Sequence, residues 1–175
     1  MSTRGAVGFG TLDDWVGVYN HSDSMPTVLG ARLWPVLTGA FYDLAALRDR
    51  LLAAGRVEEF LDDARASEER SHRVSSRSID PLYFEWIYVV ELGSPVRLHV
   101  GGSVPLPPTP HESGYEYVVT TCALDGREPD WRRCELRVTK RMAPMILELM
   151  RKHLDDEAYA KQSRGLLNLI RDIDD

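Results

Sequence analysis

The sequence predicts an α+β fold: a mainly antiparallel sheet of about five or six strands, with an N-terminal and a C-terminal pair of helices packed on it. Three observations carry this expectation. Short runs of β-branched and aromatic residues bounded by turn formers recur at the start and in the middle of the chain. Leucine, isoleucine and methionine recur at three- and four-residue spacing in the segments between and after them. The 175 residues, 43% of them hydrophobic, are enough for one substantial core, so residues 1–175 are expected to form a single domain.

Arg4 to Phe9 and Trp15 to Tyr19 flank the turn formers Gly10-Thr11-Leu12-Asp13-Asp14, the pattern of a β-hairpin. Glycines 5, 8 and 10 lack GxGxxG spacing and precede a strand, which fits a twisted edge or bulge better than a phosphate loop. After a polar loop, Leu33, Val36 or Leu37, Ala40, Leu44, Leu47 and Leu51 form one apolar helical face that Ser24 or Thr27 can cap. Pro35 interrupts it: either a short helix ends at Trp34, or a long one starts near Pro35. Gly55 stops the pattern, and a second helix runs from Val57 to about Arg65 with Val57, Phe60, Leu61 and Ala64 inward. Residues 66 to 80 are polar and mixed in charge, and read as a mobile surface connection.

Leu82 to Leu92 is aromatic and β-branched almost throughout, as a central strand covered on both faces should be. Gly93-Ser94-Pro95 turns the chain into a return strand, where Val96, Leu98 and Val100 alternate with Arg97 and His99 on a wet face. The proline-dense stretch Gly101 to His111 reads as a rigid crossover. Tyr115 to Leu124 and Trp131 to Val138 complete the sheet, which sets Cys122 opposite Cys134 across the turn. With no CxxC, these read as two buried or half-buried thiols in a reducing compartment, with a disulfide as the alternative. Met142 to Leu154 and about Asp156 to Ile173 supply the C-terminal helices. The amphipathic last helix leaves a homodimer open.

A net charge of −6 argues against general nucleic-acid or membrane-surface binding, both of which need a concentrated basic face. No apolar run reaches the roughly 18 residues needed to span a bilayer, and Met1-Ser2-Thr3-Arg4-Gly5 lacks the pattern of a secretory signal. A cytoplasmic protein is expected. No sequence motif calls for a cofactor or a metal.

The polar chemistry concentrates in Tyr19-Asn20-His21-Ser22-Asp23-Ser24-Met25-Pro26-Thr27-Val28-Leu29-Gly30. His21 and Asp23 supply a base and a carboxylate. Asn20, Ser22, Ser24 and Arg4 add an amide, two hydroxyls and a cation, a set suited to acid/base chemistry or anion binding. A structural reading competes, in which Asp23 or Ser24 caps the helix and His21 satisfies backbone carbonyls. A metal at His21 and Asp23 would need ligands from elsewhere, and no HxH or HExxH provides them.

Thr3-Arg4-Gly5-Ala6-Val7-Gly8-Phe9, followed by the Tyr19 to Pro26 loop and Leu29-Gly30, resembles a group of small, largely uncharacterised bacterial and phage proteins. These open with TRG or TRS, a short hairpin and a tyrosine, His/Asp, proline and glycine loop, and the strand Glu85-Trp86-Ile87-Tyr88-Val89 has a similar counterpart there. In many of them an aromatic residue or glycine stands where this chain has Ser22, Ser24 and Met25. The resemblance covers the first 30 or so residues and implies a place and a shape, not a reaction.

Two functional expectations follow. One is a ligand- or partner-binding or regulatory module that uses Arg4, Asn20, His21 and Asp23, its partner a small molecule or a protein. The alternative is a small hydrolase, either of the His21/Asp23 acid/base type or of an N-terminal-nucleophile type in which Ser2, exposed by removal of Met1, supplies amine and hydroxyl.

Overall fold

The computed structural model describes residues 3–61, 72–106 and 114–171. The first apolar runs form the antiparallel hairpin of strands β1 (Gly5–Gly10) and β2 (Trp15–Asn20), closed where the Thr11 and Asp14 main chains bond each other in both directions. A π-helical turn (Pro26–Gly30) leads into helix α1 (Ala31–Gly39). A short 3-10 turn then connects to α2 (Leu44–Ala54). Leu33, Leu37 and Leu51 are fully buried, each contributing about 2 kcal/mol by leaving water. The chain resolves the Pro35 ambiguity in neither expected way, because α1 runs through the proline. Pro35 cannot donate to Ala31, and the helix ends within its next turn.

Helix α3 (Val57–Leu61) follows, and the rest of the expected Val57 to Arg65 helix lies outside the described residues. Strand β3 (Arg73–Ser75) corrects the reading of residues 66 to 80 as a mobile connection where that stretch is described, since its backbone pairs antiparallel with Val16 to Val18; residues 66–71 lie outside the described residues. Strands β4 (Trp86–Glu91), β5 (Arg97–Pro105) and β6 (Tyr115–Ala123) complete a six-stranded sheet in the order β3-β2-β1-β4-β5-β6. Every pairing is antiparallel except the central one, β1 with β4. Thus the sheet is mainly antiparallel, as expected.

Two further expectations are overturned. Strand β5 continues through Gly101 and Gly102 to Pro105, where a crossover loop was expected; residues 107–111 of that loop lie outside the described residues. A Cβ on Gly102 would lie 2.3 Å from a Val138 methyl and 2.8 Å from the Trp86 ring, so the bare backbone here lets sheet and helix approach. Trp131 to Val138 is not a strand but the first two turns of α4 (Trp131–His153), which continues through Pro144. The Asp130 carboxylate accepts from the Arg132 and Arg133 N–H groups at its start, a side-chain cap. Trp131, Cys134 and Val138 then face the core at helical spacing. Cys122 and Cys134 are free thiols between β6 and α4, and burial raises both pKa values, that of Cys122 to about 11. Helix α5 (Asp156–Arg171) packs on α4.

The two sheet faces are covered differently. One carries Val7, Phe9, Val18, Trp86, Tyr88, Val90, Leu98 and Val100 beneath the helices. The other carries Ala6, Trp15, Ile87 and Val89, packed against Val74, Ile79, Phe84 and Tyr117. His99 was expected on a wet face but is buried: its Nε2 meets Glu91 Oε2 at 2.7 Å and its Nδ1 meets Thr121 Oγ1 at 2.8 Å. The cross-strand hydroxyl and the nearby carboxylate satisfy both ring nitrogens, which is what lets an imidazole be buried there.

Candidate functional site

Strand alternation divides the loop's chemistry at Asn20. Even-numbered Asn20 follows Val18 onto the helix-covered face, whereas Tyr19 follows Gly17 onto the other. Asn20 and Ser24 are almost wholly buried. The Asn20 amide donates to Ser24 Oγ at 2.8 Å and to the Ser22 carbonyl at 2.5 Å. The Ser24 N–H is shared between Thr3 Oγ1 (3.0 Å) and the Thr3 carbonyl (3.3 Å). From β4, 64 residues away in sequence, the Tyr88 hydroxyl donates to the Ser24 carbonyl at 2.6 Å, and burial first, then the Glu135 charge, holds that phenol protonated well above its ordinary range.

Only a glycine fits beneath this knot. A Cβ on Gly5 would stand 2.7 Å from Ser24 Cβ, Ser24 Oγ and the Trp86 carbonyl. The knot therefore ties the start of β1, the end of β2 and the start of β4 together. It also corrects the capping expectation: no side chain caps the Pro26–Gly30 turn, and Thr27 instead bonds Glu135 on α4, from Oγ1 at 2.6 Å and from its N–H at 3.0 Å.

Asp23 is exposed, with φ of 55° in the left-handed region that Asp tolerates better than most residues. Exposed His21 places Nδ1 3.1 Å from the Tyr19 hydroxyl. Tyr19 stacks edge-on against Phe84, centroids 5.5 Å apart, and contacts the His72 ring at 6.1 Å. Here an open pocket of about 300 Å³ appears, lined by Arg4, Tyr19, His72, Arg73, Val74, Tyr83 and Phe84. The Arg4 carbonyl accepts from the Glu85 and Trp86 N–H groups at 2.9 and 3.2 Å, which fixes the backbone from which its side chain extends. Arg73, paired with Val18 on the helix-covered side of the sheet, commits its guanidinium to the Leu52 carbonyl of α2 at 3.2 Å.

Of the residues singled out in the sequence, Arg4 lines the pocket and His21 adjoins it through Tyr19. Asn20 and Ser24 are spent on the knot, and Ser22 contributes its carbonyl to the same structure. Ser2 lies outside the described residues. Sequence reasoning missed His72, Arg73, Tyr83 and Phe84, which reach the pocket from segments remote from the loop, and missed Tyr88. A tyrosine in the middle of a strand covered on both faces was the available signal for Tyr88, because a buried phenol needs an acceptor. Among the described residues, no group of three or more His, Cys, Asp and Glu side chains is placed to hold a metal ion. No described helix is long and apolar enough to cross a membrane. No family model, curated protein or solved structure matches the chain.

Proposed function

We propose that the protein is a ligand-binding module whose site is the Arg4 pocket, and that it takes a small molecule combining an anionic group with a flat apolar body. The observation that carries this reading is the convergence of Arg4 and His72 on the Tyr19, Tyr83 and Phe84 rings in one open cavity. A guanidinium can hold a phosphate or carboxylate through several N–H groups, and ring faces accept a planar body with little entropy loss. The buried knot supports the pocket by fixing the backbone on either side of Tyr19 and Arg4.

Titration calorimetry with phenyl phosphate, inorganic phosphate and phenol tests the reading. Phenyl phosphate binds more tightly than either fragment, and Arg4→Ala weakens it by about tenfold or more, as loss of a charge-assisted contact should. Equal binding by Arg4→Ala and the parent protein would remove the proposal.

One observation favours a second reading, the small hydrolase. Thr3 is bonded to Ser24, at the same end of the sheet as His21, Asp23 and the Arg4 pocket. The described residues form one sheet, whereas N-terminal-nucleophile hydrolases stack two. Any ester or amide hydrolysis by the protein that survives Ser2→Ala assigns the chemistry elsewhere, and survival of a His21→Ala, Asp23→Ala double variant does the same for the acid/base form.

A further inference from the structure

On the helix-covered side of the sheet, a cleft of about 400 Å³ opens between α4 and the segment leading into β4. It shares no lining residue with the Arg4 pocket. Its walls are apolar and adaptable: Leu82, Trp86, Met142 and Met145 supply an indole face and unbranched thioether side chains. Among the described residues the charged groups that line it are both carboxylates, Glu85 and Glu135, and no described lysine, arginine or histidine does so.

Glu135 is held in place, because its Oε1 accepts both Thr27 bonds, at 2.6 and 3.0 Å, leaving Oε2 for another donor. Glu85 is exposed at the rim, on backbone fixed by the Arg4 carbonyl. A carboxylate beside low-dielectric walls attracts a cation more strongly than one in open water, and an indole face adds to that attraction. The volume suits a small organic ligand.

We propose that this cleft is a second binding site, for a small amphiphilic amine. The ammonium sits between Glu85 and Glu135, and its alkyl or aryl body lies along Trp86, Met142 and Met145. The site is independent of the Arg4 pocket in both place and sign of charge.

The test uses 2-phenylethylamine, its neutral counterpart 2-phenylethanol and the anion 3-phenylpropionate, titrated into the full chain and followed by calorimetry and tryptophan fluorescence. The amine binds about tenfold or more tightly than the alcohol, the anion in the Arg4→Ala variant more weakly than both, and the preference shrinks in high salt. Glu85→Gln, an exposed substitution, reduces the preference, and Glu85→Gln with Glu135→Gln abolishes it, while circular dichroism reports an unchanged fold. Arg4→Ala leaves amine binding unaltered, which separates this site from the anion pocket. Equal affinity for amine and alcohol, a preference that persists in the double variant, or no amine binding by the folded parent protein would each overturn the proposal.

Discussion

Tyr19 and Asn20 are adjacent in the chain, yet they belong to opposite kinds of polar environment. Asn20 enters a closed knot in which Ser24, Thr3 and Tyr88 satisfy one another away from water. Tyr19 enters an open pocket where Arg4 and His72 face a cavity. A polar group that is buried and fully bonded is committed to holding the fold, while one that is exposed beside a cavity is still available to a ligand. The loop's richness in polar residues therefore marks two jobs separated by one residue of strand alternation.

This contrast yields graded expectations. Gly5→Ala is the most damaging change, because its Cβ meets Ser24 and the Trp86 carbonyl at 2.7 Å. Overpacking of this kind costs about 3 kcal/mol, a fall of roughly 6–12 °C in Tm for a chain of this size, read by circular dichroism. Asn20→Ala leaves the buried Ser24 hydroxyl without its donor and costs about 2 kcal/mol in urea denaturation. Tyr88→Phe removes one donor to the Ser24 carbonyl and costs about 1 kcal/mol. On the open side, Arg4→Ala and Asp23→Asn, the latter keeping a residue that tolerates the left-handed backbone, are expected to change stability by less than about 0.5 kcal/mol. If the open-side substitutions destabilise as much as the knot substitutions, the division is wrong.

A smaller effect concerns pH. Burial raises the Cys122 thiol to about 11 in the folded protein, above the roughly 8.5 of an exposed thiol. Between those values the unfolded chain loses the proton that the native chain keeps, so ν in the unfolded state falls below ν in the native state and stability declines as pH rises. The decline is complete only above about 11 and absent below about 8. Comparing urea midpoints from pH 8 to 10 for the parent and Cys122→Ala checks this: the parent should lose more stability over the interval.

The comparison also shows what the sequence could reveal. Periodicity disclosed the hairpin, the leucine face of α1 and α2, the central strand and the C-terminal helices, because each depends on local burial pattern. It failed at Trp131 to Val138, where Cys134, Leu136 and Val138 alternate like a strand while Trp131, Cys134 and Val138 also follow helical spacing. Asp130, a residue suited to helix capping, was the local sign that decides between them. Strand β3 has only three residues and is made by pairing with β2, so local preference carries little trace of it.

The candidate site was half legible. Arg4 and the loop stood out by composition, but the division between them rests on distant partners: Tyr88 closes the knot from β4, and His72, Arg73, Tyr83 and Phe84 build the pocket from the chain between α3 and β4. The burial of His99 was hidden for the same reason, since Glu91 and Thr121 come from the neighbouring strands. Contacts of this kind depend on sheet order, which residue spacing does not encode.

The most direct measurement of the central claim is a crystal structure of the protein with phenyl phosphate. The account predicts the phosphate within hydrogen-bond distance of the Arg4 guanidinium and the phenyl ring against Tyr19, Tyr83 or Phe84, with the Asn20, Ser24 and Tyr88 bonds unchanged. A phosphate bound instead by groups of an opened knot, or an Arg4 pocket left empty at saturating ligand, would contradict it.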